Sequence, residues 1–177
     1  MANDKKMIFI TGGVRSGKSR FAQELAQKFP GPKAYLATAQ ALDEEMAERI
    51  QKHKNNRAKD WQTIEEPLWL AESLRQKGDL FSLILLDCLT LWISNLTMAR
   101  WSEQKILGEA DRLLKVCQET RCSLILVGNE VGMGIVPDHP SGRTFRDLSG
   151  LINQRVAGQA DEVYFLVSGL AQKLKGA

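Results

Sequence analysis

Eight consecutive residues, Gly12-Gly13-Val14-Arg15-Ser16-Gly17-Lys18-Ser19, fit the pattern G-x-x-x-x-G-K-[ST]. The chemistry this spacing serves is phosphate binding. Glycines let backbone N–H groups curl around an anion without Cβ clashes, and a helix opening near Lys18 points its positive end at the same place. Lys18 is expected to reach the β- and γ-phosphates of a nucleotide, and Ser19 to hold Mg²⁺. Asp87 closes the apolar run Leu83-Ile84-Leu85-Leu86. A carboxylate at the end of such a strand is the Walker B arrangement, which contacts the magnesium shell, so Asp87 and Ser19 are the expected metal pair.

A second cluster is basic. Arg49, His53 and Arg57 are spaced i, i+4, i+8 and share one face of any helix that spans them, with Lys52 and Lys54 as flanks. Neighbouring cations favour the neutral imidazole, which keeps a ring nitrogen free to attack phosphorus. The spacing leaves two readings of His53 open, a nucleophile in a positive field or a solvated bystander. The only other histidine, His139, sits between Asp138 and Pro140 and shows no partner pattern.

The elements that must position these residues follow from periodicity. Met7–Thr11, Lys33–Thr38, Trp61–Ile64, Ser82–Asp87, Ser123–Val127 and Glu162–Val167 read as strands, the central ones almost wholly apolar as in a parallel sheet covered on both faces. Helical spacing is found over Lys18–Lys28, Leu42–Lys54, Leu89–Ala99, Glu103–Glu119 and Phe145–Ala160, and Pro67 is placed in the first turn of a helix through about Gln76. Gly128–Gly142 reads as a long loop, and residues 1–6 and 173–177 as flexible tails. Strands alternating with helices predict an α/β fold with a mostly parallel sheet and right-handed crossovers, in one P-loop nucleotide-binding domain over residues 1–177. Ligands of such sheets bind beyond the carboxyl ends of the strands, which draws Thr38, Asp87 and Asn129-Glu130 towards one edge.

Composition narrows the function classes. The chain has 177 residues, 44% of them apolar and 25% charged, as in an ordinary globular domain. A net charge of +3 is too small to argue for a nucleic-acid binder. Cys88, Cys117 and Cys122 are odd in number and lack metal-ligand spacing, which argues against a disulfide framework or zinc site and for a reducing cytoplasm. Cys88 lies in an apolar run and is expected to be buried filler. No run reaches the roughly 18 apolar residues of a membrane span, and the N-terminus lacks the apolar core of a signal peptide.

Together these segments resemble a known family, the bifunctional adenosylcobinamide kinase / adenosylcobinamide-phosphate guanylyltransferase of cobalamin biosynthesis. The matching stretches are Thr11–Ser19, Tyr35–Thr38, Asp43–His53, Trp61–Glu65, Leu85–Trp92, Asn129–Pro137, Phe145–Asp147, Asn153-Gln154 and Ala160–Tyr164. The resemblance implies a RecA-like P-loop fold and two reactions. An NTP, either ATP or GTP, phosphorylates the aminopropanol hydroxyl of adenosylcobinamide. GTP then guanylylates a histidine, here His53, and the GMP passes to the new phosphate, giving adenosylcobinamide-GDP. The same resemblance carries nucleotide contacts onto Gly12 to Ser19, Ala37, Thr38, Ala39, Lys54, Asn55, Asn56, Arg57, Glu65 and Asp87. It gives Arg49, Lys54 and Arg57 the task of neutralising phosphate charge, and it implies a homotrimer. Lys52 stands where some relatives carry a further histidine. Trp92 and Trp101 fit either a subunit interface or the core. The rivals are a plain P-loop small-molecule kinase and a nucleotide-dependent switch or ATPase subunit, neither of which needs His53.

Overall fold

Apolar side chains fill both faces of the central strands, and the period of two sorts them into two layers. In strand β1 (Met7–Gly12), Phe9 points to one layer while Ile8 and Ile10 point to the other. The same division splits Leu36 from Tyr35 in β2 (Lys33–Ala37), Leu86 from Leu85 in β4 (Leu83–Asp87), and Leu126 from Ile125 in β5 (Ser123–Asn129). The first layer is covered by helices α3 (Leu70–Lys77), α4 (Leu89–Met98), α5 (Glu103–Glu119) and α6 (Pro140–Gln159). The second is covered by α1 (Lys18–Ala26), through Ala22, Leu25 and Ala26.

The computed structural model describes residues 5–41, 43–44, 47–48, 50–51 and 61–176. The described residues within 44–51 are helical (α2), while residues 52–54 of the expected helix lie outside the described residues. The remaining strands are β3 (Trp61–Glu65), β6 (Glu162–Val167) and β7 (Leu170–Lys175). The sheet order is β3-β2-β4-β5-β1-β6-β7, parallel throughout except for β7, which runs antiparallel to β6. Strand β5 thus separates the strand that leads into the phosphate loop from the strand that ends in Asp87.

Several boundaries differ from the sequence reading. The helix assigned to Pro67 begins at Leu70, because the Glu66 carboxylate accepts hydrogen bonds from the amides of Leu68 and Trp69 and forms a turn ahead of it. The long loop is shorter than Gly128–Gly142, since β5 continues in register with β1 to Asn129 and α6 starts at Pro140. The C-terminal tail is corrected to a strand, because Ser168 and Gly169, both at positive φ, form a two-residue turn that folds β7 back onto β6. At the other end, the Lys6 amide donates to Ser123 Oγ and its ammonium pairs with Glu162 at 2.7 Å, so this part of the expected tail is tied down. Residues 1–4 and 177 lie outside the described residues.

Candidate nucleotide site

The phosphate loop is held from outside as well as by its own turns. Within it, Ser16 N–H donates to Gly13 O and Phe21 N–H to Gly17 O. Gly17 starts α1 with a φ of 96°, a conformation that costs glycine little. From outside, Gly169 N–H in the β6–β7 turn donates to Ser16 O at 3.0 Å. A Cβ on Gly12 would lie 2.4 Å from Leu166 O, so the backbones of β1 and β6 approach here as only glycine permits. Lys18 is buried and donates to Gly13 O at 2.5 Å and Ser16 Oγ at 3.3 Å. Burial lowers its pKa from the usual lysine value, opposed by the negative charge of Asp87 and, more weakly, by Cys88.

Asp87 gathers hydroxyls. Its Oδ2 accepts from Ser19 Oγ at 2.8 Å and from Tyr35 OH at 2.7 Å. The register explains why, since β2 pairs with β4 so that Tyr35 lies beside Leu85 and Ala37 beside Asp87. Behind Asp87, the buried Thr38 hydroxyl accepts from Cys88 N–H and donates to Cys88 O. Cys88 is buried as expected, and its thiol is pushed up to about 12, first by burial and then by Asp87. One carboxylate and one hydroxyl on neighbouring elements are hard oxygen donors, and that small set suits Mg²⁺ shared with nucleotide phosphates.

These groups line a cavity of about 530 Å³, in the range that holds one small molecule. Val14, Arg15, Ser16, Gly17, Lys18 and Ser19 form one wall; Ala37, Ala39, Glu65 and Asp87 form another. Ile50 of α2 and Asn129 at the end of β5 also line it. Gly12, Gly13 and Thr38 do not face it; the glycines shape the loop, and Thr38 holds Cys88. Arg49, His53, Lys54, Asn55, Asn56 and Arg57 lie outside the described residues.

Sequence reading missed Tyr35 as a site residue. The signal was its alternation with Ala37 on β2, which puts both on one face next to Asp87 once strand order is known. Cys88, Leu91 and Arg20 were also missed as parts of the wall. His139 is the N-cap of α6, with Nδ1 accepting from Ser141 N–H and Pro140 in the first turn. Trp92 is a core residue whose indole N–H donates to Leu68 O, while the Trp101 ring packs on Trp69 and under Lys105. No helix among the described residues is long and apolar enough to cross a membrane.

The chain matches the family described as cobinamide kinase / cobinamide phosphate guanyltransferase over residues 8–174. The bifunctional adenosylcobalamin biosynthesis protein CobP of Pseudomonas aeruginosa is 43% identical over 167 residues, covering 94% of this chain and 96% of that one. The bifunctional adenosylcobalamin biosynthesis protein CobU of Salmonella typhimurium is 43% identical over 183 residues, covering 96% of this chain and 99% of its own. The protein of that name from Escherichia coli is 40% identical, with the same two coverages.

Proposed function

The chain belongs to the cobinamide kinase / cobinamide phosphate guanyltransferase family, and from that premise we infer how its own residues divide the two reactions. It is a P-loop enzyme with a RecA-like strand order that phosphorylates cobinamide and transfers GMP to cobinamide phosphate, using nucleoside triphosphates as substrates. The observation that carries the assignment of the nucleotide site is the contact between Ser19 and Asp87 at 2.8 Å, both of which line a cavity together with the phosphate loop.

In the kinase step the backbone amides of Val14 to Ser19 hold the phosphates and Lys18 leaves Gly13 O to reach the β- and γ-oxygens. Ser19 and Asp87 would hold Mg²⁺, which when bound would supply positive charge beside the phosphates. Ala37, Ala39 and Glu65 line the same cavity as the loop. In the transferase step a ring nitrogen of His53 attacks the α-phosphorus of GTP. The bond to the pyrophosphate oxygen breaks, and pyrophosphate leaves with its electron pair while the ring proton passes to solvent. An oxygen of cobinamide phosphate then attacks that phosphorus, the P–N bond breaks, and the imidazole recovers a proton. Two transfers through a phosphoramidate replace one harder displacement. Arg49, Lys54 and Arg57 offset the charge on the phosphates, and Asn55 and Asn56 contact the nucleotide. A cytoplasmic homotrimer, the aminopropanol hydroxyl as the phosphate acceptor and the adenosyl form of the substrate belong to the same proposal.

The test is labelling with GTP that carries radioactive α-phosphate, with Mg²⁺, on the wild type and His53→Ala. An acid-labile, alkali-stable label on the wild type alone is the expected result. Equal labelling of the variant moves the nucleophile elsewhere. No label on folded, GTP-binding wild type removes the covalent route and leaves the kinase.

A further inference from the structure

The acceptor of these reactions is far larger than the group that reacts. A cavity of about 530 Å³ holds a single nucleotide-sized ligand, so the macrocycle of a corrinoid must lie outside its mouth. The surface beside that mouth is unusual. The loop from Glu130 to His139 leaves β5 where Asn129 lies in register with Gly12, and Glu130 N–H donates to Gly12 O at 2.9 Å. Its far end is tied as well, by Arg143, which donates to Pro137 O and Asp138 O. Between those anchors Ile135 is 96% exposed, Met133 79% and Val136 57%. On the phosphate loop Val14, which lines the cavity, is 76% exposed. Large apolar groups grouped this way mark a binding surface more often than a solvated one. Gly134 has nothing within 4 Å of where a Cβ would stand, so the loop offers an open face between these side chains.

We propose that Met133, Ile135 and Val136 form the seat for the apolar face of the corrinoid macrocycle, holding it beside the cavity while its side arm enters to meet the nucleotide. The proposal rests on the functional reading above and adds the acceptor subsite to it. Reach is consistent with it. Ile135 is five residues beyond Glu130, so it lies within about 18 Å of that residue, which is itself bonded to Gly12 at the start of the phosphate loop, a span that a macrocycle with a flexible arm can bridge. A thioether and two branched aliphatic groups suit a methyl-bearing ring better than they suit a charged partner.

Steady-state phosphorylation of cobinamide by wild type, Ile135→Ser, Met133→Ser/Ile135→Ser and Ile135→Leu tests this, with equilibrium dialysis of cobinamide alongside. The expected result is a KM for cobinamide raised about tenfold in the double variant, with a matching loss in dialysis and recovery in Ile135→Leu. Nucleotide affinity and light-scattering mass are measured on each protein as checks of fold and assembly. An unchanged KM and dialysis constant in the double variant overturns the proposal. So does a fall in assembly mass that accounts for the loss, since the surface then joins copies of this chain. Wild type that binds nucleotide yet does not phosphorylate cobinamide would instead sink the functional reading, an outcome distinct from both.

Discussion

The phosphate loop and the loop from Glu130 to His139 leave adjacent parallel strands at the same edge, and both are rich in glycine. Their glycines serve opposite ends. In the phosphate loop, Gly12 admits the Leu166 backbone, Gly17 meets Gly169, and the β6–β7 turn bonds to Ser16. That loop is clamped between its own helix and a neighbouring hairpin. In the second loop Gly134 has open space around it, and Gly132 meets only the tip of the Glu130 side chain. A site for phosphate needs donors fixed in advance, because their alignment is what stabilises transferred charge. A site for a broad apolar ring needs surface, and can take its final shape on contact. The difference between the loops is therefore a difference between two kinds of ligand.

The sharpest way to break that comparison is to place the same methyl in both loops. Gly12→Ala puts a Cβ against Leu166 O, where a backbone strand rather than a flexible side chain must move. Expected is a loss of about 2–3 kcal/mol in urea unfolding, with nucleotide affinity falling too, since the displaced strand carries the hairpin that clamps the loop. Gly134→Ala is expected to stay within about 0.5 kcal/mol of wild type in the same titration. Equal effects at the two positions would show that the loops are built alike.

A smaller effect sharpens the same contrast inside the clamped region. Tyr35→Phe removes one of two hydroxyls on Asp87 Oδ2 and leaves the ring packed against Trp61. A hydrogen bond donated to an ionised carboxylate contributes about 1.5 kcal/mol, so the Mg²⁺ concentration for half-maximal kinase rate is expected to rise about tenfold. Mn²⁺ binding followed by electron spin resonance should weaken by a similar factor in the absence of turnover. If both values stay put, Tyr35 packs beside the carboxylate without positioning it.

What could be read from sequence was whatever is local. The phosphate loop, the strand run into Asp87, and the helix from Glu103 to Glu119 with its Ser102 cap are fixed by neighbours within a few residues. Tyr35 was passed over because its role exists only once β2 lies beside β4, a pairing between segments fifty residues apart. Strand β7 was missed for a related reason. All six of its residues are exposed, so it carries no buried alternation, and it is held by pairing with β6. Its Ser168-Gly169 turn was the local clue. His139 looked unpartnered because its partners are the backbone and hydroxyl of Ser141, two residues away, which give no pattern of side-chain types.

The mildest prediction concerns the clamp itself. Glu162 opens β6, and its carboxylate takes a 2.7 Å contact from Lys6, another from Tyr164 OH and a longer one from Lys173 on β7. The Lys6 and Tyr164 hydrogen bonds, in that order, hold it down from its ordinary 4.5 to about 2. Reciprocally, Tyr164 is pushed up to about 12, by burial first and then by this carboxylate. A carboxylate depressed on folding stabilises the native state above its unfolded pKa, and the contribution is lost as pH falls through the folded value. Glu162→Gln is thus expected to lower the melting temperature at pH 7, and the gap from wild type should close between about pH 4.5 and 2. A gap that stays constant across that window would mean the hairpin is held by strand pairing alone. The clamp on Ser16 would then owe nothing to charge, and the rigidity that separates the phosphate loop from its neighbour would be a property of the backbone.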